Sequence, residues 1–199
     1  MGRLFRAADR AVTAEARPPG AEIAYTVTFL EMRERPRRPR PPAPMIRGLS
    51  LLRAEGAPVH FFRYLYDMVG RDYEWTDLHA VSDADMTRFV QDDRVALYVA
   101  YLAGWPAGFA MLDHRPAPVC DLAYFGLAPE AIGRGLGEWL LGTVAHMAWD
   151  AGVSRLTVDT CSLDHPRALP LYQKWGFSPV RREERRRRLA PRGGRPGAA

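Results

Sequence analysis

Between Phe125 and Gly137 the chain reads Phe-Gly-Leu-Ala-Pro-Glu-Ala-Ile-Gly-Arg-Gly-Leu-Gly, leaving an apolar run and entering a segment with apolar residues at helical spacing. Glycines at 133, 135 and 137 remove Cβ atoms where a strand turns into a helix, so the main chain can approach a ligand closely. The first N–H groups of a helix lack intrahelical acceptors and converge on the space before it. Together these features predict a phosphate cradle. Arg134 is expected to add a charge-assisted contact to a phosphate oxygen. One glycine would serve a plain turn, whereas three at alternate positions point to a ligand. The dinucleotide pattern G-x-G-x-x-G does not fit, because the third glycine comes one residue early and the loop follows a hairpin instead of opening a run of βαβ units.

The rest of the chain supplies a sheet and helices around that loop. Residues 24–32 read as a strand rich in β-branched and aromatic residues, and 46–54 as a second. The prolines of 33–44 forbid regular structure, which makes that stretch a linker or surface arm. Residues 59–70 carry helical spacing, with Gly70 as a C-cap, and Ser82 followed by Asp85 predicts a capped helix through Val90. Residues 94–104 and 107–115 predict a hairpin turning at Trp105-Pro106, and 119–127 a further strand. A long helix then ends at Gly152, with a strand at 154–161, a short helix at 165–175 carrying Pro170 near its middle, and a last strand at 177–184. The order predicts an α/β fold, with a mixed sheet and helices on its faces.

With 199 residues, 47% of them hydrophobic, the chain can bury one sizeable core and is short for two domains. The expected division is a flexible leader over 1–22, one domain over 23–184 and a flexible arginine-rich tail over 185–199. The formal charge of +5 is uneven: residues 45–180 hold 11 basic and 16 acidic groups, so the basic excess sits in the ends. Such ends are solvated rather than base-reading, and nucleic acid is not expected as a partner. Cys120 and Cys161 lie in strand-like runs outside any metal-ligand spacing, so they read as reduced thiols, and no metal is expected. No apolar run approaches the roughly 18 to 20 residues that span a bilayer, and the start lacks a signal-like core. A cytoplasmic protein without membrane contact is expected.

The segment 119–177 resembles the GCN5-related N-acetyltransferases, the GNAT superfamily, in particular a bacterial branch of it. Leu127-Ala-Pro129 and Gly135-Leu-Gly137 are similar to that family's V-x-P-x-x-Q/R-x-x-G-x-G/A loop, with Ile132 standing where Gln or Arg is usual. Ala168-Leu-Pro-Leu-Tyr172-Gln-Lys-Trp-Gly176-Phe177 is similar to its A-x-x-L-Y-E-K-x-G-F. The resemblance implies a GNAT-like domain with a mostly antiparallel, twisted sheet of six to seven strands, splayed near the acyl-CoA site. It implies acetyl-CoA as co-substrate, with the coenzyme held by Phe125, Gly126, Leu127, Gly133, Arg134, Gly135, Leu136, Gly137 and Glu138. His165 stands where the family often has Asn and is a further candidate contact.

Acyl transfer from a thioester to an amine needs a neutral amine, a polarised carbonyl and a proton for the thiolate. By resemblance Tyr172 is the proton donor. Asp121 is the candidate base, since strict alternation would put it on one face with Ala123 and Phe125; Asp159 and His165 are the alternatives. The acceptor amine is expected among the early aromatics, with Phe62, Tyr66 and Trp75 lining its pocket and the interleaved acids attracting a cation. The implied activity is acetyl transfer to a primary amine of a small molecule or peptide in a ternary complex. The alternative is a non-catalytic acyl-CoA-binding regulatory module, and a homodimer stays open.

Overall fold

A computed structural model describes residues 20–189. Seven strands form one open sheet in the order β2-β3-β4-β5-β6-β1-β7. They are β1 (Glu22–Met32), β2 (Leu49–Ala54), β3 (Val95–Leu102), β4 (Trp105–Asp113), β5 (Val119–Leu127), β6 (Arg155–Cys161) and β7 (Ser178–Arg188). The helices are α1 (Val59–Gly70), α2 (Asp83–Val90), α3 (Leu136–Asp150) and α4 (Ala168–Lys174). Helices α1 and α2 cover one face of the sheet, packing Phe62, Leu65 and Met86 against Val99, Phe109 and Met111. Helix α3 covers the other face, where Leu136, Leu140 and Val144 meet Leu30, Leu112 and Leu156. This is the single mixed α/β domain that the alternation of elements predicts.

Only β5 and β6 run parallel, and their pairing is brief: Val119 with Arg155, Cys120 with Leu156 and Asp121 with Thr157. Beyond Asp121 the two strands follow different neighbours, β5 continuing along β4 and β6 along β1. Strand β5 also carries a bulge at Ala123, because Met111 pairs with Tyr124 while Leu112 pairs with Leu122. One inserted residue reverses the facing of everything after it. Cys120 and Leu122 belong to the α3 side, and past the bulge Phe125 and Leu127 belong there too, while Tyr124 packs with Phe109 and Met111 on the α1 side. Asp121 and Phe125 therefore do not share a face, which corrects the reading by simple alternation.

Local differences from the sequence reading have similarly concrete causes. The β3–β4 turn is Ala103-Gly104, both at positive φ, with Leu102 paired to Trp105. Pro106 lies inside β4 beside a register shift, where its missing N–H is tolerated. Helix α4 starts at Ala168, so Pro170 falls in the first turn, where an N–H would lack an acceptor anyway. Gly70 keeps a right-handed conformation and does not cap α1; it makes room for Trp75, whose Cβ lies 2.3 Å from where a Gly70 Cβ would be. Ser82 does cap α2, accepting from the Asp85 N–H at 3.1 Å.

The proline-rich stretch is an arm along α3: His146 Nε2 lies 2.9 Å from the Arg38 carbonyl, while Arg35 and Arg40 grip Asp150 at 2.6 and 2.8 Å. The leader and tail expected over 1–22 and 185–199 fall largely outside the described residues. Within them, Glu22 opens β1, and Arg185 to Arg188 continue β7, antiparallel to β1. Arg187 there bonds the Glu74 carbonyl and Asp77, so this segment is part of the fold. No helix among the described residues is long and apolar enough to cross a membrane.

Substituting Gly70→Ala is expected to lower stability by roughly 1–3 kcal/mol, because the added methyl overpacks a buried contact with a rigid ring. Chemical denaturation of the two proteins measures it.

Candidate active site

Where β5 and β6 part, a cavity of about 350 Å³ opens through the sheet. On the α1 side it is lined by Val69, Tyr73, Trp75, Tyr124 and Asp159; on the α3 side by Phe125, Leu127, Gly137, Leu171 and Tyr172. Strand edges released from pairing leave N–H and C=O groups that must find partners in solvent or ligand. The β5 edge from Leu122 to Leu127 forms one wall, and Val158 and Asp159 of β6 the other.

The glycine loop closes one end. Gly133 and Gly135 have φ of +83° and +77°, and a Cβ at either would meet no atom within 4 Å, so the bend is open. Gly135 caps α3, whose first three residues are Leu136, Gly137 and Glu138. The first N–H with a backbone acceptor is that of Trp139, bonded to Gly135 O at 3.4 Å. Gly133, Gly135, Gly137 and Glu138 line the cavity, whereas the Leu136 side chain is fully buried in the core, leaving only its N–H for a ligand. Arg134 is exposed and lies off the cavity wall. The Glu138 carboxylate pairs with Lys174 at 2.7 Å, tying the start of α3 to the end of α4.

Phe125, Gly126 and Leu127 all line the cleft. A Cβ at Gly126 would lie 2.2 Å from Val69 Cγ1, so glycine there lets α1 approach the strand. Tyr172 sits beside them with its ring 6.0 Å from Phe125 and 5.8 Å from Phe177. Burial holds its phenol well above the ordinary value, reinforced by Asp164 and Asp159, so it stays protonated.

Three carboxylates separate by environment. Asp121 accepts from Thr157 Oγ1 at 2.5 Å and does not line the cavity; burial raises it to about 6 against the Thr157 bond, helped by Asp159 and Asp113. Asp121, expected as the base, thus lies in the last β5–β6 pair, opposite Thr157 and off the cavity lining. Asp159 stands on the cavity wall, reached by water yet enclosed, and that enclosure, with Asp164, raises its carboxyl. Asp164 is fully engaged, accepting from Thr160 Oγ1 and the Cys161 N–H at 2.8 Å each and from Trp75 Nε1 at 3.1 Å. His165 lines the cavity with Nδ1 accepting from the Arg167 N–H at 3.1 Å, so the neutral ring carries its proton on Nε2, and burial lowers its pKa.

Of the expected acceptor residues, only Trp75 reaches the cavity. Phe62 is fully buried and Tyr66 is 3% exposed, so both are packing residues, a correction that follows from α1 turning them onto Phe109 and Tyr124. Tyr124, Asp164 and Leu171 join the site without having been singled out; Tyr124 needed the bulge to be known. Among the described residues no group of three or more His, Cys, Asp or Glu is placed to hold a metal. Cys120 is buried, its thiol pushed up to about 12.

The acetyltransferase (GNAT) family model matches residues 62–177. The chain belongs to the acetyltransferase (GNAT) family. Among curated proteins none matches. Solved structures of the same fold include a GCN5-related N-acetyltransferase from Kribbella flavida, 17% identical with a TM-score of 0.52, covering 85% of this chain and 59% of its own. One from Sphaerobacter thermophilus is 17% identical with a TM-score of 0.56, covering 88% and 53%. An aminoglycoside acetyltransferase from an uncultured soil metagenomic sample, in complex with sisomicin, is 13% identical with a TM-score of 0.52, covering 63% and 86%. The chain spans about three-fifths of the length of the first of these.

Because Asp121 is raised from 3.8 to about 6, the folded state holds that proton more tightly than the unfolded chain, so its contribution to stability is lost as pH rises between those values. Asp121→Asn is expected to flatten that decline, the gap over wild type opening between about pH 4 and 6. Denaturation across that range measures it.

Proposed function

We propose that the protein transfers an acetyl group from acetyl-CoA to a primary amine of a small molecule or peptide, by direct attack in a ternary complex. The observation that carries this reading is the cavity running through the split sheet, with different chemistry at its two mouths. The α3 mouth offers glycine-loop amides to a diphosphate and a released strand edge to a pantetheine arm. The α1 mouth offers Trp75, Tyr73 and Tyr124 with Asp159 between them, a setting for a cationic amine. Donor and acceptor would then meet near Phe125 and Tyr172, which favours direct attack over a relay through a covalent enzyme intermediate.

In this mechanism Asp159 takes the proton that leaves the attacking nitrogen, and its raised pKa makes it a better base than an ordinary aspartate. Backbone N–H groups of β5 polarise the thioester oxygen. As the new C–N bond forms and the C–S bond breaks, the Tyr172 hydroxyl donates to the sulfur where charge develops. With its phenol held protonated, it acts first as a hydrogen-bond donor. The family's use of acetyl-CoA supports the coenzyme assignment. The unpaired Cys120 and Cys161 suit a reducing compartment, which is why we place the reaction in the cytoplasm.

Gly135→Glu, which forces a side chain into a left-handed position and sets a carboxylate before the loop amides, should weaken acetyl-CoA binding at least about a hundredfold by calorimetry. Asp159→Asn and Tyr172→Phe should leave that binding intact and lower kcat by about 10²-fold and 10-fold respectively, in a thiol-release assay with an amine panel. Asp159→Asn should also abolish the rise of kcat/KM with pH that its titration produces. Preference for anionic acceptors would contradict the reading.

A further inference from the structure

A second cavity lies on the α3 side, between the proline-and-arginine arm and α4, with a volume of about 590 Å³. Arg33, Arg35, Arg37 and Arg38 line it from the arm and Lys174 from α4, against Glu31 and Glu34, so cations outnumber acids five to two. The arm is held in place: Pro36 is buried, the Arg38 carbonyl accepts from His146 Nε2 at 2.9 Å, and Arg35 is bound to Asp150 at 2.6 Å. Not every guanidinium is spent on that anchoring. Arg37 meets Glu34 only loosely, at 3.3 Å with both side chains exposed, and the Arg38 guanidinium has no partner among the described residues. A fixed backbone presenting uncommitted guanidinium forks is suited to a phosphate monoester, whose oxygens accept in the same plane, and pre-ordering lowers the cost of binding.

Lys174 links this cavity to the cleft. Its Nζ is 2.7 Å from Glu138, the third residue of α3 and part of the cleft lining. The lining of the cleft and the lining of the basic cavity therefore meet at this ion pair, one turn into the helix that the glycine loop opens. Coenzyme A has a chemistry that fits both places, a diphosphate with a ribose 3′-phosphate a few bonds away, at the end remote from the thioester. We infer that the basic cavity holds that 3′-phosphate, with Arg37, Arg38 and Lys174 as its contacts. The inference rests on the coenzyme reading of the cleft. It gives the arm a role in cofactor selection, with the enzyme discriminating between coenzyme A and its 3′-dephospho form.

Calorimetry with acetyl-CoA and 3′-dephospho-acetyl-CoA tests it, on wild type and on a variant carrying Arg37→Ala and Arg38→Ala, both exposed positions whose loss should leave the melting temperature unchanged. Wild type should bind the phosphorylated form about tenfold or more tightly over the other, and the variant should lose most of that preference while binding the dephospho form as wild type does. Equal wild-type affinity for the two forms, or a variant that weakens both alike, overturns this inference alone. Failure to bind either form overturns the coenzyme reading of the cleft and this inference with it. Inorganic phosphate that binds without weakening acetyl-CoA assigns the cavity to a free anion and overturns the proposal.

Discussion

Everything distinctive about the site follows from the point at which β5 and β6 stop pairing. Three residue pairs hold them together, and after Asp121 and Thr157 each strand stays with its other neighbour. A sheet edge exposed in the middle of a domain is costly unless something occupies it, since its backbone groups cannot all be satisfied internally. The bulge at Ala123 turns Phe125 toward α3 and Tyr124 toward α1, so the opening acquires walls of different character on the two faces. The glycine loop then sits at the end of the released edge, where left-handed Gly133 and Gly135 aim the start of α3 back across it.

Charge is distributed around this opening in a complementary way. The α1 side gathers Asp159 and Asp164, with Asp77 held by Arg187 beyond them. Asp164 fixes the geometry there, joining Trp75 to the end of β6 through three hydrogen bonds. The α3 side carries the loop amides and, past Lys174, the arginine arm. This distribution is what the proposed reaction asks for, since it would steer a cationic acceptor and an anionic donor to opposite mouths of one cleft.

The glycine loop, both family motifs and the element order were legible in the sequence because each is written locally. Left-handed turns ask for glycine, capping asks for Ser82 and Asp85, and core helices show their period. The facing of β5 was not legible, because no residue type marks Ala123 as a bulge, and alternation carried straight through it puts Asp121 on the wrong side. The same limit applies to α1 and the turn that follows it, where Phe62, Tyr66 and Trp75 look equivalent as aromatics; only packing separates two core residues from one that reaches the cleft. The arm read as irregular, which it is, but its docking on α3 depends on His146 and Asp150, more than a hundred residues away.

The central claim is that the unpaired stretch of β5 and the start of α3 together receive an acyl-CoA. Hydrogen exchange of the full chain with and without acetyl-CoA addresses it directly. Slowed exchange concentrated at 122–127 and 133–138, with little change in β2 and β3, is the predicted pattern. Unchanged exchange in both segments at saturating acetyl-CoA would contradict the account.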